Sequence, residues 1–245
     1  LGISPPSAGV IPVKWKAKWT FFYLFTVSTV LLGVYLGNRT VTVLSENLSG
    51  ADTTRIVIDP GHGGVDGGAT ACTGKLESAY NLEIALRLKD LFRLLGYDTR
   101  MIRTEDISVY TKGETIAQKK ISDLKERVRI ANESENTLLV SIHQNTFPDS
   151  RYSGAQVFYP ATEGSKVLAE SMQRSFVQAL NSGSRRQAKK SSGIYLLEHI
   201  QCPGVLVECG FLSNPEEAAL LAAPEYQQKV CCVIVSAVSQ YLSNT

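Results

Sequence analysis

RIVIDPGHGG, residues 55–64, sets the reading of everything around it. Arg55 to Asp59 form a short apolar run that Pro60 and Gly61 stop, the pattern of a buried strand ending in a loop. Outward from that loop the apolar period becomes helical. Between Glu77 and Leu95, residues Ile84, Leu88, Leu91, Phe92 and Leu95 recur at helical intervals, and Gly96 offers a C-terminal stop. Further strands are expected at 97–103, 137–142 (TLLVSI), 155–159, 194–197 and 205–208. Further helices are expected at 123–134 (DLKERVRIANES), 163–181, near 215–222, and at 225–242. The stretch 107–122 has weak periodicity and receives no element. Strand and helix alternate along the body with no internal repeat. That pattern implies a single α/β domain whose largely parallel sheet is covered on both faces.

The composition agrees. With 245 residues, 44% of them apolar and 20% charged, the chain has a globular balance, which excludes a disordered, collagenous or disulfide-knotted polypeptide. Residues 51–245 carry 21 basic against 22 acidic residues, so nucleic acid is not an expected partner. The five cysteines are too few and too dispersed for a disulfide framework, and their odd number leaves at least one unpaired within the chain.

The first fifty residues differ in character. Trp19 to Gly37 contains no charge, and nineteen residues at about 1.5 Å each span roughly 28 Å as a helix, close to the hydrocarbon thickness of a bilayer. Lys14, Lys16 and Lys18 precede it and Arg39 follows, a bias that leaves 1–18 as a cytoplasmic basic segment and sends residue 38 onward across. Trp15, Trp19 and Tyr35 occupy interfacial positions. The apolar run lacks a clear small-x-small cleavage site, which favours an uncleaved anchor at 19–37 over a removed signal segment. Residues 38–54 are polar and read as a linker to the domain at 55–243.

In open sheets of this kind, ligands collect at the carboxyl ends of strands. Three such ends carry unusual residues: Asp59–Gly64 (DPGHGG), His143 in SIHQN, and Glu208 in LVECGFLSN. Two of the three histidines of the chain, His62 and His143, follow strands, and His62 lies in a glycine-rich turn that permits close approach to a ligand. Glu77 is the nearest acid for a third metal ligand, although a first-turn carboxylate favoured by the helix dipole is its simpler role. Asp59, Asp66 and Glu208 compete for that place. Glu208, ending an apolar strand beside Gly210, is poorly solvated and suited to carrying a proton.

The segments IVIDPGHGG (56–64), ESAYNL (77–82), RTED (103–106), DLKERVRIAN (123–132), SIHQN (141–145) and PGVLVECGFLSN (203–214) resemble, in order, the motifs of the zinc-dependent N-acetylmuramoyl-L-alanine amidases of the amidase-3 family. The resemblance covers about residues 55–243. It implies a twisted, mostly parallel six-stranded sheet flanked by helices, zinc held by His62, Glu77 and His143, and Glu208 as the catalytic carboxylate. The implied reaction is hydrolysis of the amide between N-acetylmuramic acid and the L-alanine of the stem peptide, with peptidoglycan as partner. Gln144 departs from the alanine of many relatives in a SIHAN-like motif, which bears on the surroundings of the site and leaves its ligands in place. An anchor, a tether and a catalytic domain together resemble the germination-specific amidases of endospore formers. That likeness implies a place on the cortex side of the forespore, a role in making muramic-δ-lactam, and a lipoprotein partner of the kind clostridial relatives have.

Other residues support smaller expectations. His199 reads as structural. Arg185, Arg186, Lys189 and Lys190 form a basic stretch for which a solvated surface is favoured over contact with stem-peptide carboxylates. Cys231 and Cys232 read as core, and Cys209 lacks the partnered base of a nucleophile. Two other functions remain open: a zinc peptidase cutting inside the stem peptide, and a non-catalytic wall-binding or regulatory module. A phosphate-binding loop is weaker, because DPGHGG lacks the lysine and hydroxyl of a P-loop.

Overall fold

The run that opens the domain forms strand β1 (Arg55–Pro60), and all but its first residue are buried. The computed structural model describes residues 26–29, 32 and 54–244, with residues 1–51 and 52–245 forming separate units. Residues 26–29 and 32 are helical; the rest of the expected anchor at 19–37 lies outside the described residues, as does nearly all of the linker. Among the described residues, no helix is long and apolar enough to cross a membrane.

After β1 come helix α1 (Glu77–Leu94), β2 (Thr99–Met101), α2 (Ile116–Ala131), β3 (Thr137–Asn145), β4 (Gln156–Tyr159), α3 (Ser165–Ala179), β5 (Lys189–Lys190), α4 (Tyr195–His199), β6 (Gly204–Phe211), α5 (Pro215–Ala222) and α6 (Pro224–Leu242). They build one six-stranded sheet in the order β2-β1-β3-β6-β4-β5. Every pairing is parallel except β4 with β6. The chain passes from β1 to β2 on one side and β3 lies on the other, so the strand order reverses at β1, the kind of position beside which open sheets bind their ligands.

Alternation along the strands divides the core. Ile56, Ile58, Val140, Ile142, Val205 and Val207 pack with Ile84, Leu88 and Phe92 of α1, Met172 and Phe176 of α3, and Ile234 and Val238 of α6. Val57, Leu139 and Leu206 face the other way, against Ile130 and Ala131 of α2 and Leu196, Leu197 and Ile200 around α4. Two expectations need correction here. Residues 194–197 are not a strand but enter helix α4, because Leu196, Leu197 and Ile200 gather on one side of a single helical turn; the fifth strand is the exposed pair Lys189–Lys190. Helix α2 begins at Ile116, seven residues before the expected start. A capping box fixes that beginning: Gln118 N–H donates to Thr115 Oγ1 and Thr115 N–H to Gln118 Oε1, each at 3.2 Å.

Candidate metal centre and its carboxylate neighbour

Helix α1 places its first residue by the stripe that anchors it. Ile84, Leu88 and Phe92 bury one face, and the same stripe continues through Tyr80 and Asn81 to Glu77, which is buried at the end of the sheet. Strands β1 and β3 lie side by side, so the loop after β1 brings His62 to the same place as His143. Glu77 Oε1 lies 3.3 Å from His62 Nε2 and 3.1 Å from His143 Nδ1, and the two imidazoles meet edge to face with centroids 4.9 Å apart. One donor atom from each of the three residues lies within 4.8 Å of the others, the arrangement of a metal-binding group. A tetrahedral divalent ion with bonds of about 2.1 Å sets its donors roughly 3.4 Å apart, so the nitrogen–oxygen separations fit such an ion with little movement.

The surroundings hold these donors in place. His62 Nδ1 faces Asp66 at 3.0 Å, a carboxylate behind a histidine that fixes its tautomer and leaves Nε2 for the ion. Glu77 Oε2 accepts the Ala69 N–H at 2.9 Å, while Oε1 also accepts from Asn81 and from the Gln144 backbone. Asn81 in turn donates to the Gly61 carbonyl and accepts from the Gln144 side chain. Gln144 therefore sits behind the donors, braced on Asn81. Gly61 is required by proximity, since a Cβ there would overlap the His143 ring. His62 adopts φ +60, the one left-handed backbone outside glycine among the described residues.

Two arginines hold that strained loop. Arg127 Nη1 contacts Asp59 at 2.5 Å and the Pro60 carbonyl at 2.9 Å, and its Nη2 donates to the His62 carbonyl at 2.6 Å. Arg103 donates to the carbonyls of Pro60, Gly61, Ser78 and Glu105. Burial and the nearby positive charge of Arg127 push the Arg103 guanidinium down to about 10, still charged at neutral pH. These arginines were not among the candidate residues. Their signal was present, because Arg127 falls three and four residues before Ile130 and Ala131 on the buried stripe of α2. Asp59, once a competitor for the metal, is occupied by Arg127 and by Ser141 Oγ at 2.6 Å.

Glu208 stands next to this group in the sheet. His143 and Glu208 are register partners in β3 and β6, so their side chains share one face. Both residues lie within strands rather than at the ends where they were expected, because β3 and β6 run on to Asn145 and Phe211. Glu208 Oε2 is buried with no hydrogen-bond partner. Burial pushes its carboxyl up to about 7; His143 and His62 pull it down and Glu77 adds to the rise. For Glu77 burial is also the largest influence, but hydrogen bonds and charge from both histidines outweigh it and hold that carboxyl far below its usual range.

The remaining candidates fall elsewhere. The His199 ring stacks on Tyr195 at 3.9 Å, with Nδ1 against the Tyr195 carbonyl. Cys209 is buried, and its thiol is raised well above the usual value by burial, which removes it as a nucleophile. Cys231 is core as expected, but Cys232 is exposed.

The likeness to known proteins is extensive. The family model described as N-acetylmuramoyl-L-alanine amidase matches residues 56–240. The germination-specific N-acetylmuramoyl-L-alanine amidase of Bacillus subtilis is 39% identical over 234 residues, covering 93% of this chain and 96% of that protein. The CwlD amidase of Clostridioides difficile, solved in complex with the GerS lipoprotein, superposes with a TM-score of 0.75 at 37% identity over 79% of this chain and all of that one. A second N-acetylmuramoyl-L-alanine amidase from Clostridium difficile 630 gives 0.68 at 31% identity, over 79% of this chain and 98% of that one. With the family match spanning the sheet and the His62–Glu77–His143 group together, this chain belongs to the amidase-3 family of N-acetylmuramoyl-L-alanine amidases.

Proposed function

We propose that this chain is a zinc-dependent peptidoglycan hydrolase that cleaves the amide between the lactyl group of N-acetylmuramic acid and the L-alanine of the stem peptide. The observation that carries the reading is the unpartnered, buried Oε2 of Glu208 beside a compact group of two imidazoles and one carboxylate. His62 Nε2, Glu77 Oε1 and His143 Nδ1 would hold the zinc. When bound, zinc polarises the amide carbonyl and brings the pKa of water near 7.

The protein's own groups do the rest. Asp66 keeps His62 in the tautomer that leaves Nε2 free, and Asn81 with the Gln144 backbone fixes Glu77. Glu208 has no hydrogen bond to give up at Oε2, so it is available to take a proton from the attacking water and to return it to the departing alanine nitrogen. An amine leaves poorly unless protonated, and a carboxyl poised near neutrality serves both steps.

The B. subtilis relative is germination-specific and the C. difficile structure contains a lipoprotein. By that likeness the reaction serves spore-cortex maturation, stripping peptide before muramic-δ-lactam forms, and a lipoprotein assists it. Residues 19–37 would anchor the chain with the domain outside the cytoplasm. The test is mass spectrometry of digested peptidoglycan. The amidase reading expects intact stem peptides with an L-alanine amino terminus, whereas fragments cut inside the peptide would replace it with a zinc peptidase.

A further inference from the structure

The basic stretch that runs into β5 is not uniform. Arg185, Lys189 and Lys190 are exposed, but Arg186 is half-buried, and one of the residues it reaches, Gln156, belongs to the row that contains Glu208. That row runs across three strands: His143 in β3 pairs with Glu208 in β6, and Glu208 pairs with Gln156 in β4, so all three side chains share one face. Arg186 Nη1 donates to Gln156 Oε1 at 3.4 Å and Nε to the Ser153 carbonyl at 3.1 Å, and the guanidinium lies over the Phe211 ring, 5.0 Å from its centroid. Phe211 is buried and continues into Tyr152 and Phe147, whose rings are tilted against each other with centroids 4.5 Å apart and which are each 45% exposed.

This guanidinium is held without being neutralised. Among the described residues no carboxylate is paired with it. Glu217 feels its charge, but the Glu217 oxygens already accept the Gly154 and Phe211 N–H groups at 2.8 Å. A planar fork fixed by an aromatic ring and two acceptors, with no hydrogen bond from Nη2 among the described residues, suits a carboxylate.

Resting on the amidase reading above, we propose that Arg186 is the peptide-side binding residue beside Glu208 and takes the carboxylate of the residue that follows L-alanine in the stem peptide. The chemistry of the substrate sets the direction. The muramoyl carboxyl is consumed in the scissile amide, so that side is uncharged near the bond and the nearest anion lies on the peptide. The reach also agrees. Strands stand about 4.8 Å apart and an extended chain advances about 3.5 Å per residue, which puts that carboxylate roughly 6 to 8 Å from the scissile nitrogen, the span from Glu208 past Gln156.

The experiment uses the full chain and soluble glycan strands whose stem peptides carry either a free carboxylate or a carboxamide on the second residue. The wild type is expected to favour the free acid by about 10- to 100-fold in kcat/KM, the worth of a charge-assisted hydrogen bond. Arg186→Gln should lose most of that preference through KM, so that the acid-to-amide ratio falls towards one. Arg186→Lys, which keeps the charge and loses the fork, should give an intermediate ratio, and thermal melts confirm that each variant is folded. Cleavage of both substrates at a ratio unaffected by Arg186→Gln overturns the subsite and leaves the amidase reading intact. If the wild type cleaves neither substrate at the muramoyl–alanine bond, the amidase reading fails and the subsite fails with it.

Discussion

Replacing Arg127 by methionine tests whether the His62 loop depends on one buried cation. Arg127 and Asp59 are 3% and 1% exposed, and the arginine also holds Asp123 and the carbonyls of Pro60 and His62. Methionine fills much of the same volume but leaves the Asp59 carboxylate buried with only Ser141. Removing one partner of such a pair costs about 3 to 5 kcal/mol. For a domain of this size, each kcal/mol moves the melting temperature by about 2 to 4 °C, so a fall of roughly 6 to 20 °C is expected. Burial alone would raise the Asp59 carboxyl, but Arg127, His143 and Ser141 outweigh it and hold it below its ordinary value. A carboxyl depressed by folding contributes stability that is present above its unfolded pKa and lost as pH falls through the folded one. In the variant the same carboxyl rises and takes up a proton sooner, so the gap between variant and wild type should shrink in acid. Thermal melts from pH 7 to pH 4 measure this, and adding Asp59→Asn should recover part of the loss at neutral pH. A melting shift under about 3 °C, or a gap that widens in acid, would refute the reasoning.

Three further outcomes follow from the same geometry. Glu208→Gln should retain the metal in elemental analysis while kcat falls by about 10²- to 10⁴-fold, and the acid limb of the wild-type pH–rate profile, at or below about 7, should disappear with it. The limb has that sign because the carboxylate must be ionised to accept a proton, so activity is lost as pH falls. Gly61→Ala should lose the metal in a folded chain, since the added Cβ displaces the His143 ring; circular dichroism beside elemental analysis checks both halves. Asp66→Asn should weaken metal affinity by about 10- to 100-fold, read by competition with a chelating dye.

The fold was legible where one periodicity ran long. Helix α1 and the strands around Ile58 and Val140 follow from their apolar spacing, and burial then dictates which faces meet. Short elements were harder. Leu196 and Leu197 in a five-residue stretch suit strand or helix equally, and only the burial of Ile200 in the same cluster settles the matter. The early start of α2 was written in Thr115 and Gln118, but Lys119 and Lys120 dilute the apolar pattern that follows. In the site, His62, Glu77, His143 and Glu208 were visible as residues, and their convergence came from the family likeness rather than from spacing. Arg103 and Arg127 escaped notice because a charged residue on an amphipathic stripe looks like solvent-facing surface until its carbonyl partners are seen.

The most direct measurement strips the full chain of metal and titrates zinc back while following release of stem peptides from peptidoglycan. One equivalent of zinc should restore cleavage, with the new amino termini on L-alanine and the ion lost in His62→Ala. Undiminished cleavage after chelation, or a zinc stoichiometry unchanged by His62→Ala, would contradict a reaction centred on His62, Glu77 and His143.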